Sequence, residues 1–229
     1  MSSSLDYKTI PIVFDLDGTL WDSCDAVLKA WNLGLDSWRK SHSCGRGVIT
    51  HAEIQSIMGK SFDNIFLQLF PEYDYDTRKK LGIYLEEFES EILDVEGGEL
   101  YSGINSGLAL LSQKHLLGII SNCQAGYIEI FLNKADRFKL VDFKSHGATG
   151  LSKAQNIFNM CREQNFKHIV YLGDTLTDLM ACEEVNNTTH VHVDFHLACW
   201  GFGYEQIKNQ VDSSRTWFSF KSFSESFDS

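Results

Sequence analysis

The chain has 229 residues, of which 43% are hydrophobic and 22% are charged, and its formal net charge at pH 7 is −11. This length and composition are those of a soluble globular protein that can bury a sizeable core. The negative charge argues against nucleic acid or an anionic membrane as a partner. No apolar run approaches the roughly 20 residues of a membrane-spanning helix.

The first residues and the cysteines indicate a cytoplasmic protein. The opening stretch MSSSLDYKTI has neither the basic nor the apolar segment of a secretory signal. The six cysteines are widely scattered, and none forms a C-x-x-C pair. That distribution is typical of reduced thiols rather than of disulfides or a zinc site. We therefore expect a cytoplasmic chain with reduced cysteines.

Five segments of the chain are predicted to be β-strands. Three of them are short runs that are apolar almost throughout, as expected of parallel strands that are covered on both faces. The fourth alternates between apolar and polar residues and is expected nearer an edge. The fifth is weaker, and the last residues of the chain, which follow it, are expected to be frayed. In chain order, the five segments are residues 9–14, 116–120, 168–172, 188–195 and 216–220.

Helical patterns separate most of these strands, at residues 126–135, 153–164 and 176–185. Strands and helices in alternation are typical of βαβ units. We therefore predict an α/β fold with a doubly wound, mainly parallel five-stranded sheet of the Rossmann-like type.

The stretch between the first two predicted strands contains no convincing strand. Apolar residues recur at helical spacing over residues 22–40, and a long amphipathic helix is predicted over residues 76–93. Between them, Thr50 and Glu53 have the spacing of a capping box that opens a second helix, and Ser61 can cap a third.

A connection of this length is far longer than an ordinary loop, so it predicts a separate small domain. We expect an all-helical cap domain at residues 21–99. The α/β core domain would then comprise residues 1–20 and 100–229. The hinges between the two are expected near the ends of the inserted segment.

Polar side chains follow three of the predicted strands, and a lysine begins the helix before the third of these strands. Ligands of open α/β sheets bind outside the carboxyl ends of the strands. We therefore expect these side chains to converge on one edge of the sheet. They are Asp15, Asp17, Ser121, Asn122, Lys153, Asp174 and Asp178.

The acids in this set suit phosphoryl transfer. Asp15, Asp174 and Asp178 supply hard oxygen ligands, which suit Mg²⁺. A carboxylate in that ring can also attack phosphorus and form an aspartyl-phosphate. Asp17, two residues after Asp15, is placed to protonate the leaving oxygen and later to deprotonate the attacking water.

The remaining residues of the set can bind a phosphoryl group. Ser121 and Lys153 offer a hydroxyl and a cation to phosphoryl oxygens, whose charge must be held in the transition state. Gly18 lets backbone amides approach closely, and Thr19 can cap the turn that follows the first strand. We predict Gly18, Thr19 and Asn122 as substrate-binding residues.

Four segments resemble the four motifs of the haloacid dehalogenase superfamily, in the usual order and spacing. They are FDLDGTLWDS (14–23), IISN (119–122), Lys153 and LGDTLTD (172–178). The predicted insertion resembles the helical cap of that superfamily. YSG (101–103) and WGFG (200–203) are similar to its phosphoglycolate-phosphatase-like branch.

The resemblance implies roles for individual residues. Asp15 would be the nucleophile and Asp17 the acid and base. Asp15, Asp174 and the backbone carbonyl of Asp17 would ligate Mg²⁺, with Asp178 bound directly or through water. Because the dehalogenases of the superfamily lack the second acid and need no Mg²⁺, the resemblance is to its phosphatases.

One residue of the predicted cap is a further candidate for substrate binding. Lys60 lies in the turn between two predicted helices, and in similar proteins that loop faces the catalytic edge. Lys60 would then contact an anionic part of the substrate. An ordinary helix-connecting turn, with Ser61 as its capping residue, is the alternative interpretation.

These observations predict a Mg²⁺-dependent phosphatase that acts on a small phosphorylated metabolite, such as phosphoglycolate or a sugar phosphate, as a monomer or a homodimer. The nearest alternative is a phosphotransferase of the sugar-phosphate mutase type, which returns the phosphoryl group to its substrate. A binding or regulatory protein with the same fold and no catalysis is the alternative from another class.

Overall fold

The computed structural model describes residues 10–42 and 45–228. Thr9, with which the first predicted strand begins, and Cys44 therefore lie outside the described residues. The strands are, in chain order, β1 (Ile12–Phe14), β2 (Trp21–Asp22), β3 (Glu99–Leu100), β4 (Leu117–Ile120), β5 (Phe143–Ser145), β6 (His168–Gly173), β7 (His192–Ala198) and β8 (Thr216–Trp217).

Helices lie between most of these strands, and four of them follow one another between β2 and β3. The α-helices are α1 (Cys24–Trp38), α2 (His51–Ile57), α3 (Phe62–Leu69), α4 (Tyr75–Glu96), α5 (Ile104–Leu111), α6 (Tyr127–Asn133), α7 (Lys153–Glu163), α8 (Leu176–Thr188), α9 (Tyr204–Ile207) and α10 (Phe220–Asp228).

Six strands form one parallel sheet in the order β5-β4-β1-β6-β7-β8. β1 lies inside the sheet and is fully buried. Alternate side chains of a strand point to opposite faces. Ile12 and Phe14 accordingly belong to one apolar core, which contains residues of α5, α6 and α10, and Val13 belongs to a second core with residues of α7 and α8. The predicted doubly wound α/β fold is confirmed.

The sheet has one strand more than the five predicted. β5, which the sequence prediction missed, has only three residues, and its side chains are exposed or half-buried. It pairs on one side only, with β4. An edge strand of this kind needs no continuous apolar run, so hydrophobicity does not reveal it.

The last two predicted strands have different bounds in the structure. The predicted 188–195 strand begins four residues later because α8 extends to Thr188. The predicted 216–220 strand is only Thr216–Trp217. Helix α10 covers Phe220–Asp228. The prediction that the last residues are frayed is therefore wrong for this segment.

Helix α10 is held by aromatic packing. Phe220 and Phe223 are fully buried, and the ring of Phe223 contacts Phe14 of β1 and Trp217 of β8. On the facing helix α5, a Cβ atom at Gly107 would lie only 2.5 Å from the Phe220 ring. Because Gly107 has no side chain, α10 can pack closely against α5.

Helices α1 to α4 form a unit with its own apolar core, which we call the helical insertion. Trp31 and Leu35 of α1 pack with Phe66 of α3 and Leu85 of α4. The predicted capping box at the start of α2 is present, with Thr50 as the N-cap residue. Ser61 occupies the N-cap position of α3, but its side chain makes no capping hydrogen bond.

A two-stranded antiparallel sheet joins the helical insertion to the rest of the chain. β2 leads into α1, β3 follows α4, and Trp21 pairs with Leu100 across them. Both connections between the insertion and the rest of the chain therefore pass through this small sheet.

Among the described helices, none combines the length and the apolar character that a membrane span needs.

Truncation of Phe223 tests the contribution of α10. Phe223→Ala removes a fully buried ring and should lower the free energy of unfolding in urea by about 3–5 kcal/mol. Phe218→Ala is the matched control, because Phe218 is 74% exposed and its loss should change that free energy by only about 0.5 kcal/mol. Equal effects of the two variants would contradict the packing described for α10.

Candidate active site

Three buried aspartates meet at the carboxyl ends of the central strands. Asp15 directly follows β1, Asp174 directly follows β6, and Asp178 lies in the first turn of α8. Each is at most 1% exposed. One carboxylate oxygen of each lies within 4.8 Å of those of the other two. The predicted convergence of these three acids on one sheet edge is what the structure shows.

Lys153 lies against two of the three carboxylates. Its ammonium Nζ donates to Asp15 Oδ1 at 2.9 Å and to Asp178 Oδ1 at 2.6 Å, and the side chain is buried. A capping box of Ser152 and Gln155 fixes the start of α7, where Lys153 is the first residue. One ammonium against three carboxylates leaves the cluster with an excess of negative charge when all three acids are ionised.

Asp178 is held by the start of its own helix. Its Oδ2 accepts hydrogen bonds from the backbone N–H of Thr175 at 3.0 Å and from the Thr175 hydroxyl at 2.7 Å. This capping box leaves Asp178 Oδ1 to Lys153, with the hydroxyl of Tyr171 a further donor at 3.3 Å. Asp178 is thus both a helix-capping residue and a member of the cluster.

The Asp174 carboxylate accepts hydrogen bonds from two other loops. Its Oδ1 accepts from the Thr19 hydroxyl at 3.1 Å, and its Oδ2 accepts from the backbone N–H of Phe202 at 2.8 Å. Thr19, which we predicted to bind substrate, therefore donates its hydroxyl to a carboxylate of the cluster. In the sequence, the loop that contains Phe202 was singled out only because its WGFG motif (200–203) resembles that of a family branch.

Gly18 occupies a place that no other residue fits. Its φ angle is +85°, in the left-handed region that favours glycine. A Cβ atom there would lie 2.4 Å from Asp174 Oδ2. The turn after β1 therefore passes directly against the carboxylate cluster.

Asp17 lies outside the three-acid cluster, beside the helical insertion. Its Oδ1 accepts three hydrogen bonds, from Trp21 Nε1 at 2.9 Å, from the Ser23 hydroxyl at 2.7 Å and from the Tyr127 hydroxyl at 2.7 Å. These donors fix the orientation of the carboxyl group. Tyr127 is not predicted from the sequence, because a tyrosine in the first turn of a helix carries no signal of this contact.

Ser121 and Asn122 follow β4 at the same edge. Ser121 is buried, and its backbone N–H donates to the carbonyl of Ser145 in β5. The Asn122 side chain donates to the carbonyl of Gly59 in the insertion at 2.9 Å. Next to Gly59, Lys60 donates to Gln68 Oε1 at 2.5 Å.

Two adjoining cavities lie between the sheet edge and the helical insertion. The inner cavity is bordered by Asp17, Ser121, Asn122 and Lys60, together with residues of α1, α3 and α4. The outer cavity is bordered by Asn122, Lys60 and Lys153 among others. Its volume, about 430 Å³, is in the range of small-molecule binding sites. Every predicted catalytic residue except Asp15 thus lines one of the two cavities.

The raised pKa values of Asp15 and Asp174 indicate that the cluster lacks positive charge. Burial and the neighbouring Asp178 raise the pKa of Asp15 to about 7, although Lys153 lowers it. Burial, together with Asp178 and Asp15, also raises the pKa of Asp174 well above its ordinary value. Asp15 Oδ2 is buried, and no described residue forms a hydrogen bond with it. A divalent cation among these oxygens would remove both the repulsion and the unpaired atom, so the residues fit a hard metal ion.

A second group of possible metal ligands lies at the opposite end of β6. His168 Nε2 is 2.7 Å from Asp194 Oδ2, and His192 Nε2 is 3.2 Å from Asp194 Oδ1. The Arg215 guanidinium is 2.8 Å from the same Oδ1. Because Arg215 already supplies a positive charge to Asp194, we interpret this group as an ion-pair network separate from the site.

The sequence matches the haloacid dehalogenase-like hydrolase family over residues 12–191. This range includes β1, the helical insertion and all three aspartates of the cluster. The chain belongs to the haloacid dehalogenase-like hydrolase family, which confirms the resemblance seen in its motifs. Among curated proteins, none matches the sequence significantly.

Solved structures with the same fold span nearly the whole chain. A haloacid dehalogenase-like family hydrolase from Streptococcus pneumoniae is similar with a TM-score of 0.79 and 17% identity, over 96% of this chain and 99% of that one. A predicted phosphoglycolate phosphatase from Haemophilus somnus has a TM-score of 0.78 and 17% identity, over 95% and 97%. A predicted phosphatase from Clostridium acetobutylicum has a TM-score of 0.75 and 18% identity, over 95% and 98%. At these identities the similarity shows the fold.

Mg²⁺ should stabilise the native protein, because only the folded chain brings the three buried carboxylates together. At 100 times its dissociation constant, the ion should raise the melting temperature by roughly 5 °C. Asp174→Asn should remove most of this shift, whereas Asp63→Asn, an exposed acid of the insertion, should retain it. Differential scanning calorimetry with and without Mg²⁺ measures both. An equal shift in the two variants would place the ion elsewhere.

Proposed function

We propose that this hydrolase is a Mg²⁺-dependent phosphatase that hydrolyses a phosphate monoester of a small metabolite through an aspartyl-phosphate on Asp15. The observation that carries the proposal is the buried cluster itself. Asp15 directly follows a central strand. Lys153 donates to one of its oxygens, and the other has no hydrogen-bond partner among the residues that the structure describes. Such a carboxylate is arranged to meet an electrophile and a cation.

The metal site of the proposal consists of Asp15, Asp174 and Asp178, with the backbone carbonyl of Asp17 as a further ligand implied by the family resemblance. When bound, Mg²⁺ would neutralise phosphoryl charge and orient the substrate. The protein holds the acids in place beforehand, since Thr19 and the amide of Phe202 fix Asp174.

In the first step, an Asp15 carboxylate oxygen attacks phosphorus and forms the aspartyl-phosphate bond. The ester bond between phosphorus and the leaving oxygen breaks, and Asp17 gives its proton to that oxygen. Asp17 must therefore be protonated at the start. Burial supports this, because it raises the pKa of Asp17 although Ser23, Tyr127 and Trp21 donate to the carboxylate.

In the second step, water attacks the phosphorus of the aspartyl-phosphate, and Asp17 accepts the proton of that water. The bond between phosphorus and the Asp15 oxygen breaks, which releases inorganic phosphate and restores both carboxyl groups. Ser121, Lys153 and Asn122 would hold the phosphoryl oxygens in both steps. Lys60, which borders both cavities, would contact the phosphoryl group from the insertion side.

We further propose that residues 21–99 are a cap domain that opens and closes over the site. β2 and β3 would be the hinge, because both connections to the insertion pass through them. Two hydrogen bonds support the closed position, from Asn122 to the carbonyl of Gly59 and from Gln124 to Glu89. Closure would exclude bulk water between the chemical steps.

Phosphate release from a panel of phosphorylated metabolites, read as kcat/KM, tests the proposed activity. Free phosphate formed in step with substrate loss is expected. An isomeric phosphate ester formed without free phosphate would instead indicate the phosphotransferase alternative. Absence of turnover across the panel with Mg²⁺ would indicate a binding protein. Cytoplasmic location and a monomeric or homodimeric state stay predictions.

Asp17→Asn tests the two-step mechanism with p-nitrophenyl phosphate. Because p-nitrophenolate leaves without protonation, the first step should remain fast and give a burst of one p-nitrophenolate per active site. The second step needs Asp17 as a base, so the steady-state rate should fall by about 10²–10⁴. Stopped-flow absorbance measures both phases. A slow rate without a burst would show that Asp17 does not separate the two steps in this way.

A further inference from the structure

The inner cavity contains the group that would protonate the leaving oxygen. Asp17 borders this cavity, so the alcohol part of the substrate must extend into it while the phosphoryl group stays at the cluster. Apart from Lys60, which the proposed mechanism places against the phosphoryl group, the residues that border the inner cavity from the insertion would therefore contact the leaving alcohol. Their chemistry indicates which alcohols fit.

Two acids of α4, Glu86 and Glu89, border the inner cavity. Glu89 is 4% exposed, and its Oε1 accepts from Gln124 at 2.9 Å while its Oε2 accepts from Trp31 Nε1 at 2.5 Å. Both neighbours can only donate through these groups, so the arrangement fits an ionised carboxylate. Burial nevertheless raises the pKa of Glu89 to about 8 and that of Glu86 to about 7. An ammonium group bound beside them would lower both pKa values and favour the ionised carboxylates.

Within residues 10–42 and 45–228, neither acid has a cationic partner. Among the residues that the structure describes, no Lys, Arg or His lies within ion-pair distance of Glu86 or Glu89. Lys60, which borders the same cavity, donates to Gln68. A buried carboxylate with donors but no counter-charge is costly unless a ligand supplies the charge.

Aromatic side chains complete the inner cavity. Trp31, Phe62, Phe66 and Tyr127 border it together with the two acids. Carboxylates and aromatic rings around one space are the combination that binds ammonium groups, through charge and through cation–π attraction. An alcohol with its own carboxylate, such as glycolate, would offer these acids no counter-charge and would be repelled by their ionised forms.

We propose that the substrate is the phosphate monoester of an amino alcohol, whose primary or quaternary ammonium group binds between Glu89, Glu86 and the aromatic side chains of the inner cavity. Glu89 is then a specificity-determining residue for the leaving alcohol. The inference rests on the proposed phosphatase function, which it narrows to one class of substrate.

The test compares kcat/KM for esters of similar size and different charge. The wild-type protein with Mg²⁺ should prefer phosphoethanolamine or phosphocholine to neutral propyl phosphate by about tenfold or more, with phosphoglycolate the poorest. A preference for phosphoglycolate, or equal values for the cationic and neutral esters, would overturn the inference. In both cases phosphate release would still support the phosphatase. If none of the esters is hydrolysed, the proposed function fails as well.

Glu89→Gln tests the residue itself. It keeps the shape of the side chain and removes its charge, so the ratio of kcat/KM for the cationic ester to that for propyl phosphate should fall by about tenfold. Glu87→Gln is the matched control, because Glu87 is an exposed acid on the same helix that borders neither cavity. If this kcat/KM ratio is unchanged in Glu89→Gln, Glu89 only stabilises the insertion, and its proposed role in specificity is overturned.

Discussion

The contact of Lys153 with Asp15 and Asp178 is the interaction on which the site depends. It places an ammonium group from α7 against acids that follow β1 and begin α8, 2.9 Å and 2.6 Å away. The three elements come from distant parts of the chain, so this contact forms only when the sheet is complete. One lysine does not balance three buried carboxylates, and the remaining charge makes the site suited to a cation and a phosphoryl group.

The surrounding structure keeps this cluster in place rather than relieving its charge. Gly18 gives the Asp174 carboxylate room, and the hydroxyl of Thr19 and the amide of Phe202 fix its orientation. Asp17 is held separately, by donors that leave it beside the inner cavity. Two kinds of carboxyl group result: a cluster of three, which fits a cation, and Asp17, which borders the inner cavity. The proposed two-step phosphoryl transfer uses both kinds.

The cluster could be predicted from the sequence because its acids directly follow apolar strands, and parallel strands bring their carboxyl ends to one edge.

Other features were not predicted, because they depend on packing between distant parts of the chain. Nothing local marks Tyr127 as a partner of Asp17. Glu89 does have the helical spacing of its buried neighbours Leu85 and Leu93, but the contacts that it makes there come from other elements. The strand Phe143–Ser145 lacks an apolar run because it lies at an edge. Helix α10 was missed although Phe220, Phe223 and Phe227 have helical spacing.

Isolation of the phosphorylated enzyme tests the central claim, that Asp15 is the nucleophile. The Asp17→Asn variant, in which the second step should be slow, is mixed with Mg²⁺ and p-nitrophenyl phosphate, quenched in acid and digested. Mass spectrometry should find one phosphoryl group on the peptide that contains Asp15, and none when Asp15→Asn is added. A phosphoryl group on another peptide, or an unmodified Asp15 peptide during the burst, would contradict the mechanism.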